Sequence, residues 1–304
     1  MIKLNVKNET DRLVSVILGS GNNCGGIPQL EDCIDPKSIE NVKNGTFPVE
    51  KDIVKEINNL ARVFKSYKIN VFRPENIKGL NQIFSRDVAF VIDSKFCIAN
   101  VIWNRIEEFN GIKHILNQIP LNSIVKIPFD VRIEGGDVML CDEYVFVGYS
   151  EKEDFKKYKV ARTNKEGVEF LKINFPNKKI KEFELNKSDN NPKVNALHLD
   201  CCFQPIGKKM AIIYDKGFKN KSDLEFLEHY FGNDNIIRIS EEEMYNMHSN
   251  IFSISPEIII TGKGFTRLNN ELTTRGFKVE EVAYAEIAKM GGLFRCSTIP
   301  LLRK

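Results

Sequence analysis

The chain has 304 residues, 42% apolar and 28% charged, an ordinary composition for a soluble globular protein of one large domain or two small ones. Its 44 basic and 41 acidic residues leave a formal net charge of +3 with no polybasic run, so charge gives nucleic acid and anionic membranes no hold as partners. No apolar run reaches the roughly 18 residues that span a bilayer, and the charged start MIKLNVKNETDRLVSV lacks the apolar stretch of a secretory signal.

Seven cysteines (Cys24, Cys33, Cys97, Cys141, Cys201, Cys202 and Cys296) are odd in number, include no C-x-x-C pair and show no zinc spacing with histidine. They predict free thiols in a reducing, cytoplasmic setting, with no metal and no other cofactor.

In chain order, 13–19 (LVSVILG) predicts a strand, 50–67 (EKDIVKEINNLARVFKSY) a helix and 69–74 (INVFRP) a second strand. A loop of about 30 residues from Gly19, rich in Gly, Asn and Pro, reads as a lid or a disordered connection. Four segments then repeat one pattern, an apolar run, a polar turn and a second apolar run. They begin at Asp87 (DVAFVIDSKFCIA), Asp137 (DVMLCDEYVFVGYS), Asp200 (DCCFQPIGKKMAIIY) and Asn250 (NIFSISPEIIITGKG), about 50 to 63 residues apart, and each predicts a β-hairpin. A helical pattern follows each hairpin: 106–119, 164–175, 221–231 with Ser222 as N-cap, and 266–276 with Gly276 as C-cap. Short strands at 123–129, 178–185, 235–240 and 277–284 complete the units. Five units that cannot bury their apolar faces alone predict an α/β fold, with sheets around a central axis and helices outside. The reading is a single domain over 1–304; two ordinary α+β domains are the alternative.

Residues able to do chemistry recur at the start of these units. His198 and Asp200 in HLD lie two apart, which in an extended segment points both to one face. Glu134 precedes Gly135-Gly136 in IEGGDV, where a tight turn or close backbone approach fixes it. NQIFSRD brings Asn81, Arg86 and Asp87 to the mouth of another strand, and GGLFRC places Cys296 behind a glycine pair. Alone, each reads as structural; in a ring, all converge on the axis. His114 and His229 read as structural, and the role of His248 is open. A cysteine with a histidine is a nucleophile with a general acid/base. Surplus carboxylates disfavour a thiolate and serve no ester, but they suit a cation such as a planar guanidinium.

NQIFSRD, RIEGGDV, HLD and GGLFRCSTIPL, in that order, resemble the motifs of the guanidino-group-modifying superfamily, over about residues 12 to 304. Its members include arginine deiminases, dimethylarginine dimethylaminohydrolases and amidinotransferases. The resemblance implies the five-bladed α/β propeller called pentein, with pseudo-fivefold ββαβ repeats, and a small-molecule guanidino substrate. It implies that Cys296 attacks the guanidinium carbon to form a covalent thiouronium. His198 would protonate the leaving amine and then activate water, Glu134 would orient His198, and Asp87 and Asp200 would grip the guanidinium nitrogens. Asn81 and Arg105 fall at spacings resembling substrate-carboxylate contacts, and Arg86 joins the substrate-binding set. Asp137, Gly135 and Gly136 read as turn-formers.

The helical insert of arginine deiminases is missing from 47–81. The compact length is closer to dimethylarginine dimethylaminohydrolases, whereas HLD and FSRD look more like the deiminase and amidinotransferase branches. The implied activity is hydrolysis of the guanidino group of arginine or a derivative. The alternatives are amidino transfer to an amine and a non-catalytic binding propeller. A homodimer is compatible with the sequence.

Overall fold

A computed structural model describes the whole chain, Met1–Lys304. Its strands form five separate three-stranded sheets. β1 (Leu13–Leu18) and β2 (Asn70–Phe72) run parallel, with Val16 opposite Val71, as a helical crossover between them requires. β3 (Ala89–Ile92) and β4 (Lys95–Ile98) form a hairpin, and β5 (Ile124–Lys126) returns parallel to β4. The same plan recurs in β6 (Val138–Cys141), β7 (Tyr144–Tyr149) and β8 (Lys179–Glu184). It recurs again in β9 (Phe203–Ile206), β10 (Met210–Ile213) and β11 (Ile236–Arg238), and in β12 (Phe252–Ser255), β13 (Ile258–Gly262) and β14 (Lys278–Val282). The first sheet lacks a hairpin, and β15 (Thr298–Arg303) supplies the missing strand, antiparallel to β1 with Ile17 opposite Ile299. The N-terminal and C-terminal segments thus build one sheet between them.

Turn chemistry explains the hairpins. Asp93 and Asp142 adopt φ of 50° and 55° in the β3–β4 and β6–β7 turns, a left-handed conformation that aspartate tolerates and tight hairpins need. The crossovers carry the expected helices Glu50–Ser66, Lys165–Asn174, Lys221–Phe231 and Thr266–Thr274.

Three local expectations are corrected. The helix expected over 106–119 is a 3-10 stretch, Trp103–Ile112, followed by one α-turn, Lys113–Leu116. Gly111 is a poor helix former and is needed there because a Cβ would lie 1.9 Å from Gln82 Nε2. Ser222 is not the N-cap, because its helix begins at Lys221 behind Asn220. The loop after Gly19 is not irregular throughout, since Pro36–Lys43 is a helix whose cap, Asp35, accepts the N–H groups of Lys37 and Ser38. Its buried residues are Pro36, Lys37, Ser38 and Asn41, so no apolar period betrays it.

β1 is buried on both faces. Val16 and Leu18 join the larger core with Ile53, Ile57, Leu60 and Phe64, one stripe of the helix Glu50–Ser66. Ile17 joins a second core with Val88, Phe90, Ile299 and Leu301. A strand covered on both sides reads as a continuous apolar run, as LVSVIL nearly does. No helix is long and apolar enough to cross a membrane.

Ile299 is fully buried, so Ile299→Ala should destabilise the protein by about 2–5 kcal/mol. Urea unfolding reads this directly, and an unchanged midpoint would mean that β15 does not hold the first sheet together.

Candidate active site

The first strand of every sheet is preceded by a short turn. These turns carry Asp87 in Ser85–Val88, Asp137 in Gly135–Asp137, Asp200 in Leu199–Cys201, Asn250 before β12 and Cys296 before β15. Hydrogen bonds join them. The Leu199 N–H donates to Asp137 Oδ1 at 2.9 Å, and Ser249 Oγ to the Asp200 carbonyl at 3.0 Å. The Cys296 N–H donates to Asn250 Oδ1 at 3.1 Å, and the Arg86 N–H to the Cys296 carbonyl at 2.9 Å.

A cavity of about 350 Å³ opens above these turns, within the range of small-molecule sites. Asn81, Asp87, Arg105, His198 and Cys296 line it, together with Cys24, Asp35 and Phe47 from the segment after Gly19. That segment therefore forms one wall of the cavity.

His198 is buried, and its Nε2 lies 2.8 Å from Glu134 Oε2 while its Nδ1 faces Asp87 Oδ1 across 3.7 Å. Burial works against the imidazolium, but Asp87, Asp137 and Glu134 outweigh it and push His198 up to about 9. Burial would likewise raise Glu134, yet the His198 hydrogen bond and the Arg162 charge hold it at about 2. Arg162 Nε stands 3.5 Å from Glu134 Oε2, and the Ile102 N–H donates to the other carboxylate oxygen at 3.1 Å. Gly136 makes this packing feasible, because a Cβ there would lie 2.6 Å from the His198 ring. Asp137, Gly135 and Gly136 sit in the turn below and do not line the cavity.

Cys296 Sγ accepts from Asn250 Nδ2 at 3.1 Å and donates to Asp200 Oδ2 at 3.6 Å. Burial first, and then Asp200 and Asp87, push the thiol well above its ordinary value, so it is protonated at neutral pH.

Several expectations need correction. Leu199–Cys201 is a 3-10 turn, so His198 and Asp200 do not share a face by strand alternation. Asp200 lies under Cys296, bound to Arg295 Nη1 at 2.9 Å, and does not line the cavity. Arg86 also does not line it; its guanidinium points to Glu9 at 3.8 Å, and burial and the charge of Arg295 lower it to about 9. Arg105 does line it, but four of its N–H groups are taken by Glu108, Asp87 and the Phe84 carbonyl. It holds Asp87 at 2.5 Å and has one N–H left for a ligand. Asn81 faces the cavity and accepts from the Ile83 N–H.

Asn250, Arg162, Arg295 and Glu9 were not foreseen as part of the site. Asn250 had a signal, since it occupies the unit position held elsewhere by Asp87, Asp137 and Asp200. The other three had none, because their partners are remote in sequence.

Asp87, Glu134 and His198 each place one ligand atom within 4.8 Å of the others, the one group that could hold a metal ion. An ion there would have to take the His198 proton and face Arg105 and Arg162, which already neutralise the carboxylates.

A buried Cys, a His–Glu pair and aspartates on three of five repeated turns, together with the relatives below, define the class, the guanidino-group-modifying superfamily. The family model described as N,N dimethylarginine dimethylhydrolase, eukaryotic, matches residues 39–303, and this chain belongs to that family. The protein YkgA of Bacillus subtilis, itself uncharacterized, is 29% identical over 248 residues, 81% of this chain and 79% of its own. An arginine deiminase of Listeria welshimeri is 29% identical over 265 residues, 74% of this chain and 62% of its own length. SxtG, an amidinotransferase of Microseira wollei, superposes with a TM-score of 0.77 at 19% identity, over 99% of this chain and 97% of its own. The N-terminal domain of the cyanobacterial arginine dihydrolase ArgZ, bound to product, gives 0.80 at 18% identity, over 96% and 98%. These two share the mixed α/β fold.

The His198 ring protons should titrate near pH 9 by NMR, and Glu134→Gln should move that midpoint down. Because the folded value exceeds the ordinary 6.5, the stabilisation is complete below about pH 6.5 and is lost as pH rises through about 9. A midpoint at or below 6.5 in the native protein would refute the pairing.

Proposed function

We propose that this protein hydrolyses the guanidino group of arginine or an arginine derivative, in the manner of a deiminase or a dimethylaminohydrolase. One observation carries the reading: Cys296, the His198–Glu134 pair and Asp87 meet at one cavity, with Asp200 against the thiol. The substrate cation enters beside Asp87 and above Cys296, with Asp200 beneath the thiol. Asp87 Oδ1 is buried with no hydrogen-bond partner, and a guanidinium N–H satisfies it. The cation also offsets the two carboxylates that hold the thiol protonated, so binding assists ionisation.

As the cation binds, the thiol proton leaves to solvent, and Cys296 Sγ then forms a bond to the guanidinium carbon. Glu134 holds His198 at Nε2, leaving Nδ1 to pass a proton to the departing nitrogen as the C–N bond breaks. The product of this step is an S-linked thiouronium and a free amine or ammonia. Water attacks the same carbon, His198 takes its proton, the C–S bond breaks, and the ureido product leaves with the thiol restored. Asp87 and Arg105 form one unit in this scheme, with Arg105 as a positioning residue for the aspartate.

The finer architecture belongs to the same proposal. The five sheets are the blades of a closed pentein propeller, in a single domain, with the five turns around its axis. The hydrogen bonds that join the turns, and the hairpin–crossover–strand order that four of the five sheets share, support it. A cytoplasmic location accords with seven cysteines that are all unpaired.

Two experiments test the chemistry. Acid-quenched intact-mass spectrometry with arginine, methylated arginines, agmatine and guanidinoacetate should reveal an amidino-type adduct that Cys296→Ser lacks. Ureido product should form with no added amine; an adduct that persists until glycine is supplied would replace hydrolysis by amidino transfer. Independently, iodoacetamide should label Cys296 slowly at pH 7 without ligand. Labelling at the rate of a free thiolate would overturn substrate-assisted ionisation.

A further inference from the structure

A second cavity, of about 570 Å³, uses none of the residues assigned above. Lys37, Lys263 and Lys289 line it with His248, and no aspartate or glutamate does. Lys263 is exposed and makes no ion pair, whereas Lys289 is bound to Glu286 and the Lys37 ammonium to the Tyr245 carbonyl. With Lys289 offset by Glu286, Lys37 and Lys263 face the space without a lining acid and leave it positive.

The cavity also has a flat wall and an unmet polar atom. The His248 ring stacks on Phe265 with centroids 3.6 Å apart. His248 is nine-tenths buried, and its Nδ1 has no hydrogen-bond partner; Glu243 is 3.7 Å away and already bound by Arg267. Tyr284 lines the cavity as well. Such an atom left unmet costs on the order of 1–3 kcal/mol, which a ligand that supplies a partner recovers.

We propose that this cavity binds a small organic anion with a flat body. Its carboxylate or phosphate faces the lysines, and its body lies on the His248–Phe265 wall. The site also answers what His248 does, which the guanidino chemistry leaves unused.

The two cavities share a wall. The helix Pro36–Lys43 gives Lys37 and Asn41 to the second cavity, while Ser38 and the cap Asp35 line the first. Ala288, Lys289 and Leu293 line the second, and Met290, Gly291 and Gly292, between them, the first. Asn41 Nδ2 donates to the Lys289 carbonyl at 3.2 Å and ties the two segments. An anion held by Lys37 and Lys289 therefore fixes the wall of the guanidino site. This coupling rests on the guanidino reading; the anion site does not.

Titration calorimetry on the full chain with phenyl phosphate and benzoate tests the site. At least one should bind one-to-one with a Kd on the order of 1 mM, as expected of such small ligands. Inorganic phosphate, which lacks the body, should bind more weakly, and the stronger of the two aromatic probes identifies the anionic group. Lys263→Glu should weaken binding about tenfold or more, and Ala283→Trp, which fills the cavity from its exposed rim, should abolish it. Both positions are exposed, so folding is preserved, and a matching melting temperature checks this. No binding of either probe, or equal binding by both variants, overturns the site. For the coupling, saturating probe should change the KM for the guanidino substrate in the native protein and not in Lys263→Glu. Binding with an unchanged KM overturns the coupling alone. Binding with no guanidino turnover in any form overturns the guanidino reading and leaves the site standing.

Discussion

The structure depends on one buried cation. Arg295 has no exposed surface, and its guanidinium bonds Glu9 at 2.9 Å, Asp200 at 2.9 Å, and the carbonyls of Gly136 and Val138 at 3.3 and 2.7 Å. Its own N–H reaches the Asn250 carbonyl at 3.4 Å, and its carbonyl accepts from Arg86 Nε at 3.4 Å. One residue therefore touches the N-terminal segment and every one of the other four turns. Burying a guanidinium is costly unless carboxylates and carbonyls satisfy it, and stripping one partner from such a pair costs about 3–5 kcal/mol. Glu9 shows the reciprocal effect: burial would raise it, but Arg295 and Arg86 hold it at about 2. Cys296 is the next residue along the chain, so the bonds that hold the turns together also fix the thiol.

The same charges divide the site into two classes of carboxylate. Glu134 is matched by His198 and Arg162 and works on the histidine. Asp87 is matched by Arg105 on one oxygen only and keeps the other bare toward the cavity. Asp200 is matched by Arg295 and touches the thiol. A thiol amid these acids is a poor nucleophile by itself, and that is the setting in which a cationic substrate changes the chemistry most. In the proposed reaction the arrangement couples recognition to reactivity, because the group that binds is the group that relieves the field on the sulfur.

The repeat was legible in the sequence because it depends on period-two hairpins and turn residues, which are local. All four hairpins, and the strands β1 and β2 and the helix Glu50–Ser66 of the first unit, lie where the pattern places them. The candidate residues were legible for a related reason, since each stands at the same point of its unit. What stayed hidden is non-local or polar. The helix Pro36–Lys43 buries Lys37, Ser38 and Asn41 against remote partners, so it has no apolar stripe to read. Arg86 and Arg105 could not be sorted, because an arginine beside a motif looks the same whether it faces a ligand, as expected, or a buried carboxylate, as found. The pairing of β15 with β1 joins residues nearly the whole chain apart, and the plain strand STIPLL carries no mark of it.

Hydrolysis and amidino transfer need the same thiol, the same histidine and the same aspartates. The five turns therefore cannot separate them. What differs is whether water or an amine reaches the thiouronium, and that is a matter of the wall over the cavity. Here the wall comes from the segment after Gly19, pinned by the Arg162 guanidinium on the Ile34 carbonyl at 2.8 Å and by the Asp35 cap. Arg162 also faces Glu134, so one cation spans from the histidine's partner to the wall. A substitution that loosens the wall at Ile34 thus acts on the acid–base pair as well. On the proposed mechanism, the turns set the reaction that the thiol can start, and the wall sets which nucleophile finishes it.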